Sequence, residues 1–181
     1  MEFETTRLEG VMLVRPRLFE DDRGSFTETW NMEAFEEVVG ESVQFKQSNE
    51  SVSRAGVLRG LHFQIPPRGQ GKLVRVSRGR VMDVAVDLRK DSATFGQHVA
   101  VELSADNRWQ LWIPVGFAHG FLALEDGATL QYQCTDTYHP ESEKSLAWDD
   151  PHLGIDWGVA GPVVSERDQA AAAFATFESP F

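Results

Sequence analysis

Residues 80–88 of the chain read Arg-Val-Met-Asp-Val-Ala-Val-Asp-Leu. Every second residue from position 82 to position 88 is apolar, whereas Asp83 and Asp87 occupy alternate positions. Side chains in a strand point alternately to its two faces, so this stretch is typical of a strand with one apolar face. Similar short runs recur along the chain, at residues 11–18, 25–30, 57–64, 72–77, 98–103, 110–114 and 129–135.

Residues that favour turns separate these runs, at positions 21–24, 66–69, 78–79 and 125–127. Many short strands at this spacing predict an all-β fold, an antiparallel β-sandwich or barrel with a few short helices. Asn31 is placed to cap a helix over residues 32–39 that Gly40 would end. The alanine-rich residues 166–175 predict a second helix. We find no internal repeat and no linker, and expect a single domain over residues 1–181.

The chain of 181 residues carries 17 Lys and Arg against 28 Asp and Glu, a formal net charge of −11. This charge would repel nucleic acid and anionic membrane surfaces, so we expect neither as a partner. Cys134 is the single cysteine, so no disulfide can form within the chain, which is typical of a reducing compartment. The first residues do not resemble a signal peptide, and no apolar stretch is long enough to span a bilayer. We therefore expect a cytoplasmic protein.

His62 lies in the apolar run 57–64, close to Arg59 and Gly60. A lone histidine on a strand is about as often structural as functional, but a charged residue and a glycine in the same run favour a functional site. Strict alternation would place Arg59 and His62 on opposite faces. If both serve one site, Gly60 must mark a β-bulge or a close approach of backbones that turns one of them.

Residues 114–119 have the spacing Pro-x-Gly-x-x-His, which is familiar from the second motif of cupin jelly rolls. Metal-binding cupins supply a His-x-His pair from their first motif, whereas here the corresponding residues are His62, Phe63 and Gln64. A closed metal site normally takes three or four protein ligands, and two histidines are too few. We expect no bound metal.

Longer motifs make the resemblance more specific. In order along the chain they are GVLRGLHFQ (56–64), PP (66–67), QGKLVRV (70–76), DVAVDLR (83–89), SATFG (92–96), GFAHGF (116–121), YHPESE (138–143), WDDP (148–151) and SERD (165–168). Together they resemble the dTDP-4-dehydrorhamnose 3,5-epimerase family over residues 15–168. The resemblance implies a cupin-like jelly roll without metal or other cofactor. Its expected reaction is epimerisation of C3 and C5 in dTDP-4-dehydro-6-deoxy-D-glucose, for dTDP-L-rhamnose biosynthesis.

Both carbons flank the C4 ketone, so their protons become acidic when an enolate can form. Such a reaction needs a base on one face, an acid on the other, and a cation or donor at the ketone oxygen. By resemblance, His62 is the base with Asp168 as its partner, Lys72 stabilises the enolate oxygen, and Tyr132 is the proton donor. We also expect Asp83, on the strand after Lys72, to hold the Lys72 ammonium in place.

The resemblance also implies a set of substrate contacts and an assembly. The expected contacts are Arg23, Glu28, Gln47, Asn49, Arg59, Lys72, His119, Tyr138, Glu143 and Arg167. Family members are homodimers that exchange an N-terminal segment, and we expect the same here. The sequence departs from the usual family pattern at Gly158, where proline is common, and at Arg167, where lysine is common.

Three other interpretations stay open. The first is a 3- or 5-only epimerase of a dTDP-4-keto-6-deoxy sugar in another pathway. The second is a metal-dependent cupin oxygenase or isomerase, against which Gln64 argues. The third is a sugar-nucleotide-binding module without turnover, against which the presence of both a base and an acid argues.

Overall fold

The computed structural model describes residues 1–181, and most of its regular structure is strand. In chain order the elements are β1 (Glu2–Thr5), β2 (Met12–Arg15), β3 (Leu18–Asp21), β4 (Gly24–Thr27), α1 (Met32–Val39), β5 (Gln47–Ser53), β6 (Leu58–Gln64), β7 (Lys72–Arg78), β8 (Arg80–Asp87), β9 (His98–Ser104), β10 (Gln110–Ile113), β11 (Phe117–Ala123), β12 (Ala128–Cys134), β13 (Glu143–Ser145) and α2 (Glu166–Gln169), followed by a 3₁₀ turn at Phe174–Thr176. Neither helix has the length and apolar character that crossing a membrane requires.

The strands form two main sheets. One has six strands in the order β1-β2-β10-β7-β12-β5, and the other has five in the order β13-β6-β11-β8-β9. Neighbouring strands in both sheets are antiparallel. The predicted all-β antiparallel sandwich is confirmed.

A core of 15 buried residues fills the space between the two sheets, with Val74 and Leu130 from the six-stranded sheet and Ala85 from β8. The predicted alternation of β8 is also confirmed. The face that carries Val84, Val86 and Leu88 packs outward, beneath the C-terminal part of the chain. Its other face, which carries Asp83 and Asp87, is fully buried and turns toward the inside of the sandwich.

Helix α1 has the predicted bounds. The Asn31 side chain accepts a hydrogen bond from the Ala34 N–H at 3.1 Å, and Gly40 ends the helix with a φ of 80°. Phe35, the buried residue of the helix, packs edge-on against Trp112 of β10. The helix therefore covers part of the outer face of the six-stranded sheet.

The predicted extent of the second helix, residues 166–175, is wrong because the helix is much shorter. Helix α2 has four residues, and the alanines that follow it are not helical. The Ala172 carbonyl instead accepts a hydrogen bond from the Ala147 N–H at 2.8 Å, and the Phe174 N–H donates to the Asp150 carboxylate at 2.7 Å. These tertiary hydrogen bonds outweigh the helix propensity of alanine, which is a weak preference.

Strands β3 and β4 form a separate hairpin that pairs with neither main sheet. The predicted run 11–18 divides here into β2 and β3, because Pro16 lacks the N–H that a continuous strand would use. Large apolar side chains lie exposed on the hairpin, with Phe26 at 68% and Phe19 at 47%. The hairpin thus presents an apolar surface that nothing within the chain covers.

Candidate active site

A cavity of about 500 Å³ lies where the inner faces of the two sheets meet. Strands β6 and β11 of the five-stranded sheet line it on one side, and β5, β7 and β12 of the six-stranded sheet line it on the other. Residues around α2 close one end. Its ionisable side chains include Arg59, His62, Lys72, His119, Tyr132 and Asp168.

A bulge at Gly60 brings Arg59 and His62 to the same side of β6. His62 pairs with His119 of β11, and Arg59 pairs with Phe121, so the two residues of β6 between these pairs oppose a single residue of β11. Gly60 has a φ of 138°, and a Cβ there would lie 2.5 Å from the Cα of Gly120. Both Arg59 and His62 line the cavity, as the sequence predicts for a bulge at this glycine.

Nε2 of His62 lies 2.6 Å from Oδ1 of Asp168. Since an ionised carboxylate can only accept, the hydrogen bond places the proton on Nε2 and leaves Nδ1 free to accept another. Asp168 is buried, at 4% exposure. Burial raises the pKa of its carboxyl, but the His62 hydrogen bond and charge, the Ser165 hydroxyl and the Gly60 N–H outweigh burial, and the pKa lies below its usual value.

Ser165 holds the turn that carries Asp168, a function that is not among those expected from the sequence. Its hydroxyl caps α2 by accepting a hydrogen bond from the Asp168 N–H at 3.1 Å. The spacing Ser-x-x-Asp at the start of a short helix is the signal that could have revealed it. Its cap fixes the backbone from which the Asp168 carboxylate reaches His62.

Lys72 begins β7 and is buried, with Nζ 3.5 Å from the His62 carbonyl oxygen. Burial lowers the pKa of its ammonium, and Cys134, Asp83 and Glu143 partly offset this effect through their charges. The expectation that Asp83 holds the Lys72 ammonium is wrong as a direct contact. Lys72 has no carboxylate within ion-pair distance, and the Asp83 carboxylate bonds through Oδ2 to His119.

Tyr132 lies on β12, across the cavity from β6. Its ring packs against the core between the sheets. Burial and the nearby Cys134 raise the pKa of its phenol, while the Arg59 charge opposes them. The hydroxyl is therefore protonated near neutral pH and able to donate.

Four of the expected substrate contacts form a connected chain of hydrogen bonds, and one of them, Arg167, lines the cavity. Gln47 Oε1 accepts from the Tyr138 N–H at 2.8 Å, and the Tyr138 hydroxyl donates to Glu143 at 2.6 Å. The same Glu143 oxygen lies 2.7 Å from the Arg167 guanidinium. Burial raises the pKa of the Glu143 carboxyl, but Tyr138 and Arg167 outweigh it and lower the pKa. Asn49 joins this chain by accepting from the Gln47 amide.

Two hydrogen bonds from the edge strand β5 fix the Arg59 side chain. Its Nε donates to the Ser53 hydroxyl at 3.2 Å and an Nη donates to the Val52 carbonyl at 3.4 Å. These contacts leave the rest of the guanidinium free toward the cavity, where an anion could bind. Ser53 was not among the residues expected from the sequence.

The structure does not bring Arg23 or Glu28 to this cavity. Arg23 lies in the β3–β4 hairpin, exposed and paired with Asp21, and Glu28 follows the hairpin. Neither residue lines the cavity of its own chain.

Gln64, which stands in place of a second cupin histidine, connects two loops by hydrogen bonds. Its amide nitrogen donates to the Arg68 carbonyl at 2.7 Å, and its oxygen accepts from the His139 N–H at 2.7 Å. No group of three or more His, Cys, Asp and Glu side chains is arranged to hold a metal ion.

The arrangement combines a carboxylate-oriented imidazole on one sheet with a lysine and a phenol on the other. An imidazole with a free Nδ1 can remove a proton, an ammonium can stabilise a developing enolate, and a phenol can return a proton from the opposite side. The site therefore suits proton exchange at a carbon beside a carbonyl group. A sequence model described as dTDP-4-dehydrorhamnose 3,5-epimerase matches residues 5–176. The chain belongs to this family.

Individual members of the epimerase family agree closely with the chain. The curated dTDP-4-dehydrorhamnose 3,5-epimerase of Pseudomonas aeruginosa is 54% identical over 166 residues, which are 91% of each protein. A crystal structure from Legionella pneumophila in complex with dTDP-4-keto-L-rhamnose has a TM-score of 0.93 and 46% identity, and covers 98% of this chain and 94% of that one. A Streptomyces bikiniensis 3′-monoepimerase in complex with dTDP-quinovose has a TM-score of 0.90 and 37% identity, over 94% of this chain and 87% of that one.

Proposed function

We propose that the protein epimerises C3 and C5 of dTDP-4-dehydro-6-deoxy-D-glucose to give dTDP-4-dehydro-L-rhamnose, a step of dTDP-L-rhamnose biosynthesis. The observation that carries this proposal is the His62–Asp168 pair in one cavity with Lys72 and Tyr132. The same chain matches the 3,5-epimerase family over most of its length.

Each inversion proceeds in two proton transfers. Nδ1 of His62 takes the proton from the carbon beside the ketone, and the electron pair of that C–H bond moves toward the C4 oxygen to form an enolate. Lys72 stabilises the oxygen, and Asp168 stabilises the imidazolium. Tyr132 then donates its proton to the opposite face of the carbon, and the ketone reforms. No cofactor is needed, because no electrons are exchanged with another molecule.

We also propose that the nucleotide part of the substrate binds beside the cavity. Arg59 and Arg167 offer guanidinium groups that suit a diphosphate, and the exposed Tyr138 ring suits stacking on a base. Gln47, Asn49, His119 and Glu143 are proposed to contact the remainder of the substrate. These cations matter because the chain as a whole is acidic and would repel an anionic substrate.

We further propose a homodimer in which the β3–β4 hairpin of one copy reaches the cavity of the other. Two observations support it: the hairpin exposes large apolar side chains, and it carries Arg23 away from the cavity of its own chain. We propose one domain per chain, since both sheets share a core. A cytoplasmic location is proposed because Cys134 is a free thiol.

Proton NMR of dTDP-4-keto-6-deoxy-D-glucose with EDTA-treated protein in deuterated water tests the reaction. We expect both the C3 and the C5 proton signals to disappear, because each carbon regains a deuteron from the solvent. Exchange at C3 or C5 alone would overturn the double epimerisation in favour of a single epimerase. Exchange that needs added metal would establish a metal-dependent cupin enzyme, and binding without exchange under any condition would indicate a binding module.

A further inference from the structure

A second histidine–aspartate pair lies in the same cavity. Nε2 of His119 lies 2.9 Å from Oδ2 of Asp83, and Asp83 is fully buried. His119 stands directly opposite His62 across the β6–β11 pairing. Two imidazoles thus lie side by side, each with its Nε2 bonded to a buried carboxylate.

The Asp83 carboxylate fixes which nitrogen of His119 carries the proton. An ionised carboxylate accepts hydrogen bonds only, so Nε2 must be the protonated nitrogen of the neutral ring. Nδ1 makes no hydrogen bond within the chain, and the His119 side chain lines the cavity. Nδ1 therefore keeps a lone pair that a ligand in the cavity could use.

The second Asp83 oxygen has an unusual environment. Oδ1 is buried and has no hydrogen-bond partner. A buried carboxylate with one unpaired oxygen costs stability, and a fully packed neutral side chain would avoid that cost. The Asp83 charge favours the buried Lys72 ammonium without contacting it, and the one direct contact of the carboxylate is with His119, so a function in orienting this ring accounts for its geometry.

We propose that Asp83 is a positioning residue for substrate binding. It holds His119 in the Nε2-protonated form, so that Nδ1 accepts a hydrogen bond from a hydroxyl group of the sugar beside the carbon that reacts with His62. The inference rests on the proposed function for the identity of the sugar. The protonation of His119 itself does not depend on that function.

Asp83→Asn tests the proposal, because an asparagine amide can also donate to Nε2 and so permits the other tautomer. Long-range proton–nitrogen NMR of protein with ¹⁵N-labelled histidine reports the tautomer directly. We expect an Nε2-protonated His119 in the unmodified protein and a full or partial shift to Nδ1 protonation in Asp83→Asn. We expect kcat/KM to fall by about 10²-fold, as misplacement of a binding group can cause, with an unchanged or higher melting temperature.

Asp87→Asn is the matched control, since Asp87 is equally buried on the same face of β8 but bonds to Arg89 outside the cavity. This variant should lower the melting temperature and leave the His119 tautomer unchanged. In a His119→Ala background, Asp83→Asn should have no further effect on kcat/KM.

An unmodified protein with Nδ1-protonated His119 would overturn the proposal, even if no Asp83 variant folds. So would an unchanged tautomer in Asp83→Asn, or effects of the two substitutions that multiply. Absence of epimerase activity in the unmodified protein, together with the expected tautomers, would contradict the proposed reaction but not the positioning of His119 by Asp83.

Discussion

At the scale of single residues, the cavity is organised by two carboxylates that accept hydrogen bonds from imidazole rings. Asp168 bonds to His62 at 2.6 Å and Asp83 bonds to His119 at 2.9 Å. Each bond uses Nε2 and leaves Nδ1 for the substrate. The two rings nevertheless differ in their proposed work, because His62 exchanges a carbon-bound proton and His119 accepts a hydrogen bond.

Replacement of His62 by alanine should remove the base without closing the nucleotide end of the cavity. We expect deuterium exchange at both C3 and C5 to fall by about 10²–10⁴-fold, the usual contribution of general acid–base catalysis. The dissociation constant for dTDP, measured by calorimetry, should change little because Arg59 and Arg167 are intact.

His152→Ala serves as the control for this substitution, since His152 bonds to Asp150 and does not line the cavity. Its exchange rates should match those of the unmodified protein. Near-normal exchange in His62→Ala would remove His62 from the mechanism.

The sequence predicts individual site residues more readily than the contacts between them. His62 and Lys72 occur in dense motifs, and the structure places both in the cavity. Asp168 is separated from His62 by 106 positions, and no local pattern can reveal a contact of that range. The expected pair of His62 and Asp168 rests on family resemblance alone, and the contact between Asp83 and His119 is seen only in the structure.

At the scale of secondary-structure elements, the bulge in β6 determines which side chains enter the cavity. Leu58, Leu61 and Phe63 pack outward, while Arg59 and His62 turn inward. Without the extra residue, one of these two polar side chains would face the outer apolar layer. Gly60 is required there because of its positive φ and its close approach to Gly120.

Gly60→Ala should therefore damage both stability and activity. A φ of 138° costs about 1–3 kcal/mol in a residue with a Cβ, and the contact with the Gly120 backbone adds about 1–3 kcal/mol of overpacking. We expect a loss of about 2–6 kcal/mol in the free energy of unfolding, measured in urea, and a lower kcat in the fraction that folds.

Gly40→Ala isolates the backbone contribution. Gly40 also has a positive φ, but a Cβ there would meet no atom within 4 Å. This variant should lose about 1–2 kcal/mol and keep full activity. Equal losses in the two glycine variants would show that the close approach to β11 is unimportant.

The elements differ in how well the sequence predicts them. Strand β8 was clear because its apolar residues alternate without a break. Strand β5 was missed because it lies at a sheet edge and its sequence, Gln-Ser-Asn-Glu-Ser-Val-Ser, is nearly all polar. The alanines after α2 favour a helix because propensity is a local property, whereas the hydrogen bonds that Ala172 and Phe174 make to residues 147 and 150 are not local.

At the scale of the whole molecule, the exposed apolar surface of the β3–β4 hairpin has no explanation within a single chain. It contacts neither main sheet through strand pairing, and its phenylalanines are exposed. An interface between two copies related by symmetry would bury this surface twice. In the dimer that we propose, Arg23 reaches the cavity of the partner.

Mixing two inactive variants tests this shared site. Arg23→Ala and His62→Ala should each have low activity alone. After joint unfolding and refolding, about a quarter of the sites should be intact, because half of the dimers are mixed and one of their two sites has both residues. Recovery of activity near that fraction would support exchange of the hairpin, whereas a mixture as inactive as its components would contradict it.

The position of the cavity between two sheets has a consequence for the rate of the proposed reaction. His62 belongs to the five-stranded sheet, while Lys72 and Tyr132 belong to the six-stranded sheet. The spacing between proton acceptor and proton donor is therefore set by the thickness of the hydrophobic core, including Val74 and Leu130. A methylene group gained or lost in that layer would change how far a proton must travel, although it touches no substrate. We therefore expect substitutions in this interior layer to change the rate of the proposed reaction without any contact with the substrate.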